Sequence, residues 1–213
     1  MKIGVLGSGT VAQTLASGLL AHGHAVMAGS RTPEKLTEWA GKNAQAKTGS
    51  FAEAAAFGEL LVLAVKGSAA AEALRLAGAA NLEGKPVIDT SNPIADEAPV
   101  NGVLKFFSGI NASLMEELQR EFPGAHLVKA FNSVGAARMI DPHYAAGRPT
   151  MFICGNNASA KQAVTAILDQ LGWETADMGT AEAARAIEPL CMLWCIPGFR
   201  QNQWTHAFKL LKE

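Results

Sequence analysis

A glycine-rich segment at positions 7–12 has the residue types and spacing that bind a dinucleotide pyrophosphate. Gly7, Gly9 and Ala12 give the pattern G-x-G-x-x-A between an apolar run and an Ala- and Leu-rich segment. The first glycine permits a tight turn, the second lets the backbone approach the pyrophosphate, and the small third residue lets helix and strand pack closely. Free N–H groups at the helix start would then face the phosphates. We predict that the whole segment binds the cofactor: Gly7, Ser8, Gly9, Thr10, Val11 and Ala12. The alternative is a turn that only connects strand to helix.

The residues after the second apolar run indicate which dinucleotide is bound. An NAD site usually has an acidic residue there to hold the ribose 2′-hydroxyl, but this run ends in Ser30, Arg31 and Thr32. The two hydroxyls can donate hydrogen bonds, and the planar guanidinium of Arg31 suits a phosphate. Lys35 adds a second positive charge. These four residues predict a 2′-phosphate site and hence NADP(H). The alternative for Arg31 and Lys35 is an ordinary solvated pair.

Three further strand ends should contribute to the same crevice, because ligands of open parallel sheets lie outside the carboxyl ends of the strands. We predict cofactor-binding residues there: Ala64, Val65, Lys66, Asn92, Ala130 and Asn132. The amides of Asn92 and Asn132 can bond to a carboxamide or to substrate. Asn132 is the candidate catalytic residue, although no catalytic role is assigned. Two alternatives stay open: Asn92 and Pro93 form only a turn, or Asn132 caps a helix over Val134–Met139.

No group of acid–base, nucleophilic or metal-binding residues stands out. The five histidines are scattered along the chain. Cys191 and Cys195 are four residues apart and would share one face of a helix, but their neighbours are apolar. This pattern favours packing, and a metal site or a redox pair is the alternative. We predict no metal site.

Short, nearly continuous apolar runs alternate with helical segments along the chain. Such runs are typical of parallel strands covered on both faces, and the β–α alternation predicts an α/β fold with a doubly wound Rossmann sheet and a small helical C-terminal extension. The strongest run is Leu60–Val65, and a weak third strand is expected near Ala44–Lys47.

A soft boundary divides the chain where Gly, Pro and polar residues cluster. It predicts an NADP-binding domain, 1–145, and a small C-terminal part for substrate binding or dimerisation, 146–213. The second part should end in two helices, Glu182–Ile196 and Arg200–Leu211, because a Pro-Gly pair lies between them.

Composition excludes several classes of protein. The 213 residues are 49% hydrophobic and 17% charged, which suffices for one buried core and argues against disorder. The formal net charge of -1 gives no basic stripe for nucleic acid. No apolar stretch reaches the roughly 18 residues of a membrane span, and three cysteines do not suggest a disulfide framework. We expect a cytoplasmic protein with no nucleic-acid or membrane partner.

Together these residues resemble one family, the NADP oxidoreductases that depend on the deazaflavin coenzyme F-420, to which the reductase domain of the six-transmembrane metalloreductases is related. The resemblance covers nearly the whole chain. It rests on the segments 7–12, 29–31 and 129–132 and on a closing stretch, 177–190, in which Asp177-Met178-Gly179, Ala184-Arg185 and Glu188-Pro189-Leu190 match.

The resemblance implies that NADP(H) binds the Rossmann part, and that a flavin or deazaflavin ring stacks on the nicotinamide in a cleft closed by the C-terminal part. Carried over, the residues that hold NADP are Ser8, Gly9, Thr10, Val11, Ser30, Arg31 and Lys35, with Val65 and Ala130 along its path. Hydride transfer between stacked rings needs alignment more than a proton donor. Lys66 stands where a flat apolar crevice is expected, which leaves the acceptor open.

The leading hypothesis is a reductase that transfers hydride between NADPH and a flavin-like or deazaflavin acceptor. A β-hydroxyacid or imine-type NADP dehydrogenase resembles the first half of the chain, but generally has a larger helical second domain than the roughly 60 residues after position 150 provide. A module that senses NADPH without turnover is the non-enzymatic alternative, and the fold alone does not separate the three. We expect a homodimer through the apolar C-terminal helices.

Overall fold

The computed structural model describes residues 1–211 and has a six-stranded parallel sheet at its centre. The strands follow the order β3-β2-β1-β4-β5-β6, so the order in which the chain adds strands to the sheet reverses between β1 and β4. This is the doubly wound Rossmann topology, in which ligands bind at the reversal point. The strands are β1 (Lys2–Leu6), β2 (Ala25–Gly29), β3 (Lys47–Gly49), β4 (Leu60–Leu63), β5 (Pro86–Asp89) and β6 (His126–Lys129). The predicted fold class is confirmed.

Helices cover both faces of this sheet. They are α1 (Thr10–Ala21), α2 (Thr37–Lys42), α3 (Phe51–Phe57), α4 (Ala70–Ala77), α5 (Ala79–Leu82), α6 (Leu114–Glu121), α7 (Ala158–Gln170) and α8 (Ala184–Gln201). Short 3-10 turns occupy Pro33–Leu36, Gly67–Ala69, Ala136–Arg138 and Ala181–Ala183. The helical segment after β4 is divided into α4 and α5, because Gly78 between them has a φ of +88°.

The strands read as continuous apolar runs because their side chains fill two cores. Leu60 and Val62 of β4 belong to the cluster on one face, whereas Leu61 and Leu63 belong to the cluster on the other. All four are at most 1% exposed. Successive strand residues point to opposite faces, so a strand covered on both sides has no polar positions.

A second, two-stranded parallel sheet follows β6. It consists of β7 (Thr150–Ile153) and β8 (Glu174–Asp177). The amide of Lys129 donates to the carbonyl of Cys154 at 3.0 Å, and α7 packs in the same core cluster as α1. The boundary expected between residues 145 and 146 stays a prediction.

Two predicted elements were placed wrongly. The third strand lies at Lys47–Gly49 instead of Ala44–Lys47, because the chain first makes a turn in which Ala46 N–H donates to Asn43 at 2.8 Å. The expected break between two C-terminal helices does not occur: α8 continues through Pro197 and Gly198 and ends at Asn202, whose φ is +56°. A proline removes a helical hydrogen bond, yet the helix continues here, and the ring of Trp204 packs against it at Gly198.

The predicted helix Arg200–Leu211 is wrong beyond Gln201. The chain instead returns along α8, where Trp194 Nε1 donates to the carbonyl of His206 at 2.8 Å. It then reaches the edge of β7, where Thr150 N–H donates to the carbonyl of Phe208 at 2.9 Å. Since these partners satisfy the backbone groups, the segment does not need helical hydrogen bonds.

Candidate functional site

The turn after β1 is shaped by two glycines with different roles. Gly7 has a φ of +151°, and a Cβ atom there would lie 2.2 Å from the carbonyl oxygen of Ala64. Only glycine fits so close to β4. A Cβ atom at Gly9 would meet nothing within 4 Å, so the backbone at this position is open to a ligand. Ala12 is 1% exposed and packs against Gly7 beneath the turn, as predicted for the third small residue of the pattern.

The start of α1 has backbone N–H donors without a partner inside the helix. Gly9 is its N-terminal cap residue, and no side chain of the described residues caps it. The first backbone bond runs from Gln13 N–H to the carbonyl of Gly9 at 3.0 Å. The amides of the first helical turn therefore face outward, where the positive end of the helix dipole favours a phosphate.

The predicted 2′-phosphate residues come together on one side of this turn. Ser8, Ser30, Arg31, Thr32 and Lys35 line a cleft with Gly7 and Gly9, which we call the outer cleft. Ser30 is 5% exposed, and its hydroxyl lies 3.3 Å from that of Ser8 and accepts the Thr32 N–H at 3.1 Å. Three hydroxyls and two cations thus converge where a carboxylate would stand in an NAD site.

The outer cleft also contains residues that sequence reasoning missed. Phe51, Ala69, Glu72 and Ala73 line its far wall. Glu72 Oε1 lies 3.5 Å from Arg31 Nη1, and both side chains are more than half exposed. No motif marks these positions, because they reach the cleft from α3, the turn before α4, and α4 itself. Glu72 places a negative charge beside the guanidinium.

A second cleft adjoins the first across the same turn. This inner cleft is lined by Gly9, Thr10, Val11, Ala64, Val65, Lys66, Gly67, Thr90, Ser91, Asn92 and Ile94. Lys66 is the one titratable residue among them, and its ammonium pairs with Asp96. The expectation that Ala64, Val65, Lys66 and Asn92 lie in one crevice with the glycine turn agrees with this placement.

Asn132 and Ala130 lie beneath the inner cleft and do not line it. Ala130 is fully buried. Asn132 Nδ2 donates to the carbonyl of Ile187 in α8 at 2.9 Å, while Asn92 Nδ2 donates to the carbonyl of Asn132 at 2.8 Å. Asn132 is therefore not a helix cap, because the following turn starts at Gly135. Asn92 does more than form a turn.

The residue before Asn132 has a strained backbone. Phe131 has a φ of +59° and is 2% exposed, and its N–H donates to the sulfur of Met151 at 3.1 Å. A bulky residue in the left-handed region costs on the order of 1–3 kcal/mol. The strain turns the chain sharply at the end of β6, which directs the Asn132 amide toward Asn92 and α8.

A buried ion cluster joins the ends of β5 and β6 to α8. Lys129 Nζ lies 2.7 Å from Asp89 Oδ2 and 2.9 Å from Glu188 Oε1, and the three side chains are at most 2% exposed. Burial alone would lower the pKa of Lys129, but the two carboxylates outweigh it and hold that pKa above its ordinary value. The ammonium is therefore charged at neutral pH.

Sequence reasoning missed this cluster. Asp89 and Lys129 are the last residues of β5 and β6. The two residues lie opposite each other where β5 pairs with β6, and this is the feature that could have identified them. Opposite charges at paired positions on two core strands would have indicated a buried ion pair. Glu188, which lies in α8, gives no comparable signal.

The thiols do not form a metal site in the described residues. No group of three or more metal-ligating side chains is found there. Cys191 is buried and Cys195 half-buried, and their mutual hydrogen bond, together with burial, raises the pKa of Cys191. Burial raises the pKa of Cys154 to about 12. Buried thiols with raised pKa values pack as small apolar groups.

Comparison with known proteins identifies the family to which the chain belongs. The family model described as "NADP oxidoreductase coenzyme F420-dependent" matches residues 2–93, which contain the glycine turn and the outer cleft. The chain is thus of the class of NADP-dependent oxidoreductases. A crystal structure of an F420-dependent NADP-reductase candidate from Arthrobacter sp. FB24 is 34% identical, with all of both chains covered and a TM-score of 0.93. The chain belongs to this family of F420-dependent NADP oxidoreductases.

More distant relatives share part of their length with this chain. Metalloreductase STEAP3 of Rattus norvegicus is 32% identical over 92% of this chain, but the chain spans only 38% of that protein. An imine reductase of Streptomyces aurantiacus is 17% identical, with 93% of this chain and 63% of that chain covered and a TM-score of 0.70. At that identity the likeness concerns the fold alone. Within residues 1–211, no helix is both long and apolar enough to traverse a bilayer.

Proposed function

We propose that the protein transfers hydride between NADPH and a flavin-like or deazaflavin acceptor. The observation that carries this proposal is the outer cleft, where Ser30, Arg31, Thr32 and Lys35 meet beside an uncapped helix start and an open Gly9. The donor set matches a 2′-phosphate next to a pyrophosphate. The F420-dependent reductase candidate from Arthrobacter supports a deazaflavin ring as the acceptor.

In this proposal each of the two clefts binds one half of the dinucleotide. The outer cleft would hold the adenosine half through its 2′-phosphate, and the first turn of α1 would hold the pyrophosphate. The inner cleft, on the side of β4 and β5, would then receive the nicotinamide. When bound, NADPH supplies the hydride; the protein orients the ring and limits the access of water.

The chemistry of the inner cleft favours a ring acceptor over a carbonyl or imine. Reduction of a carbonyl or imine needs a proton as well as a hydride, and Lys66 is the one titratable group among the lining residues. Its pairing with Asp96 holds that group at the surface. Hydride transfer to a flavin-like ring also requires a proton, but the negative charge left on the ring is delocalised and can take that proton from water after the transfer. The transfer itself therefore depends on alignment.

The test is NADPH oxidation at 340 nm against flavins, a deazaflavin, ferric chelates and small carbonyl and imine compounds, with NADH in parallel. We expect turnover of a ring acceptor with NADPH, and Lys66→Met should retain most of it. Turnover of an imine or hydroxyacid partner that Lys66→Met abolishes would instead identify a dehydrogenase of that type. NADPH binding without turnover on any acceptor would favour a sensing module.

The assembly and location are further parts of the proposal. We infer a homodimer through α8, because Leu193 and Phe199 on this helix are 55% and 47% exposed. A monodisperse monomer in light scattering would exclude it. The three cysteines are all unpaired, which suits the reducing cytoplasm. Fractionation of cells that express the tagged protein tests the location.

A further inference from the structure

The buried cluster of Lys129, Asp89 and Glu188 meets directly beneath the inner cleft. Asp89 ends β5, Lys129 ends β6, and Glu188 lies one turn into α8. Two carboxylates and one ammonium leave an excess negative charge in a place that water does not reach. A buried ion cluster is often no more stabilising than apolar residues of the same volume. Stability therefore does not account for it.

The upper side of the cluster holds a lining segment of the inner cleft. Asp89 Oδ1 accepts the N–H of Ser91 at 2.9 Å and its hydroxyl at 2.6 Å. Lys129 Nζ donates to the carbonyl of Ser91 at 2.9 Å. Every polar group of Ser91 is thus fixed by a charged partner, so the segment Thr90–Asn92 has little freedom to move.

The lower side of the cluster holds α8 in place. Glu188 accepts the backbone N–H groups of Leu114 and Met115, both at 3.0 Å, at the start of α6. One residue earlier, the carbonyl of Ile187 accepts the Asn132 amide. The same few side chains therefore tie α6 and α8 to the cleft wall at Ser91 and, through Asn132, at Asn92.

We propose that Asp89, Lys129 and Glu188 are positioning residues for the nicotinamide half of the dinucleotide. They act through Ser91 and Asn92, which line the inner cleft, and they do not contact the ligand themselves. The outer cleft is lined from the ends of β1, β2 and β4 and from α3 and α4, and none of the residues 90–92 lines it. Binding of the adenosine half therefore does not depend on the three charged residues. This inference rests on the proposed NADP(H) function.

The experiment compares two ligands by isothermal titration calorimetry: NADP(H), and adenosine 2′,5′-bisphosphate, which lacks the nicotinamide half. In Asp89→Asn the partner of Ser91 is weakened without loss of volume. We expect the dissociation constant of NADP(H) to rise about tenfold, the equivalent of one hydrogen bond. That of the bisphosphate should stay within about twofold. Glu188→Gln, a second variant of conserved shape, should act in the same direction.

Glu116→Gln is the matched control. Glu116 pairs with Arg185 at 2.6 Å, and so also joins α6 to α8, but it has no contact with the segment Thr90–Asn92 among the described hydrogen bonds. It should change neither constant. Equal weakening of both ligands in Asp89→Asn and Glu188→Gln, or no change in folded variants, would overturn the proposal. If the unmodified protein binds neither ligand, the NADP(H) function itself fails, which is a distinct result.

Discussion

Removal of the Lys129 ammonium should destabilise the folded protein strongly. Lys129→Met keeps most of the side-chain volume but leaves Asp89 and Glu188 buried without their cation, at 0% and 2% exposure. Breaking a buried ion pair by loss of one partner costs about 3–5 kcal/mol. At roughly 2–4 °C per kcal/mol for a chain of this size, the midpoint of thermal unfolding should fall by about 6–20 °C.

The assay is urea unfolding followed by circular dichroism, with thermal unfolding alongside. The deficit comes from two buried negative charges that have lost their cation, so it should be smaller at pH 5 than at pH 8, because acid favours neutral carboxyl groups. Lys105→Met, which breaks the exposed pair with Glu97, is the control and should leave the midpoint unchanged. A deficit below about 1 kcal/mol in Lys129→Met would refute the assigned charges.

Three other predictions concern the outer cleft, the α6–α8 contact and the thiols. Arg31→Asp should raise the dissociation constant of NADPH far more than that of NADH. Glu72→Gln should lower the dissociation constant of NADPH, because it removes a negative charge from the cleft. Equal effects of a variant on both dinucleotides would contradict a 2′-phosphate site. The hydrogen bond from Arg185 lowers the pKa of Glu116. The pair's contribution to the free energy of unfolding is therefore full above the ordinary pKa and is lost as pH falls through the lowered value. Wild type and Glu116→Gln should differ in stability at neutral pH and converge in acid, and a difference that does not change with pH would be inconsistent with this pair. Iodoacetamide should modify Cys195 before Cys154, since burial raises the pKa of Cys154 to about 12; mass spectrometry of the peptides decides between them.

The sheet and the outer cleft were predictable because their signals are local. A strand covered on both faces must be apolar at every position, and Leu60–Leu63 fulfils this within four residues. The glycine turn and the segment after β2 are likewise short patterns whose positions in space follow from the topology. For this reason, Ser30, Arg31 and Lys35 could be placed beside the turn without a structure.

The features that were missed depend on contacts between distant segments. The single helix α8 and the returning tail depend on partners such as Thr150 and Trp194, which no local pattern reveals. The buried cluster needs Asp89, Lys129 and Glu188 from three elements. A charged residue in a sequence ordinarily predicts a solvent-exposed position, because an unpaired charge is rarely buried. The partner that overrides this expectation for Glu188 lies 59 positions away.

The extent of one core cluster has a consequence for how the chain folds during synthesis. Ile3, near the start of the chain, and Trp173, more than 160 positions later, belong to the same cluster. A nascent chain that has reached only residue 145 would lack α7, and the apolar side of β5 and β6 would have no cover. Parallel strands with distant partners also fold slowly. We therefore expect folding to be completed late in translation, with a chaperone-sensitive intermediate that shortened chains would accumulate.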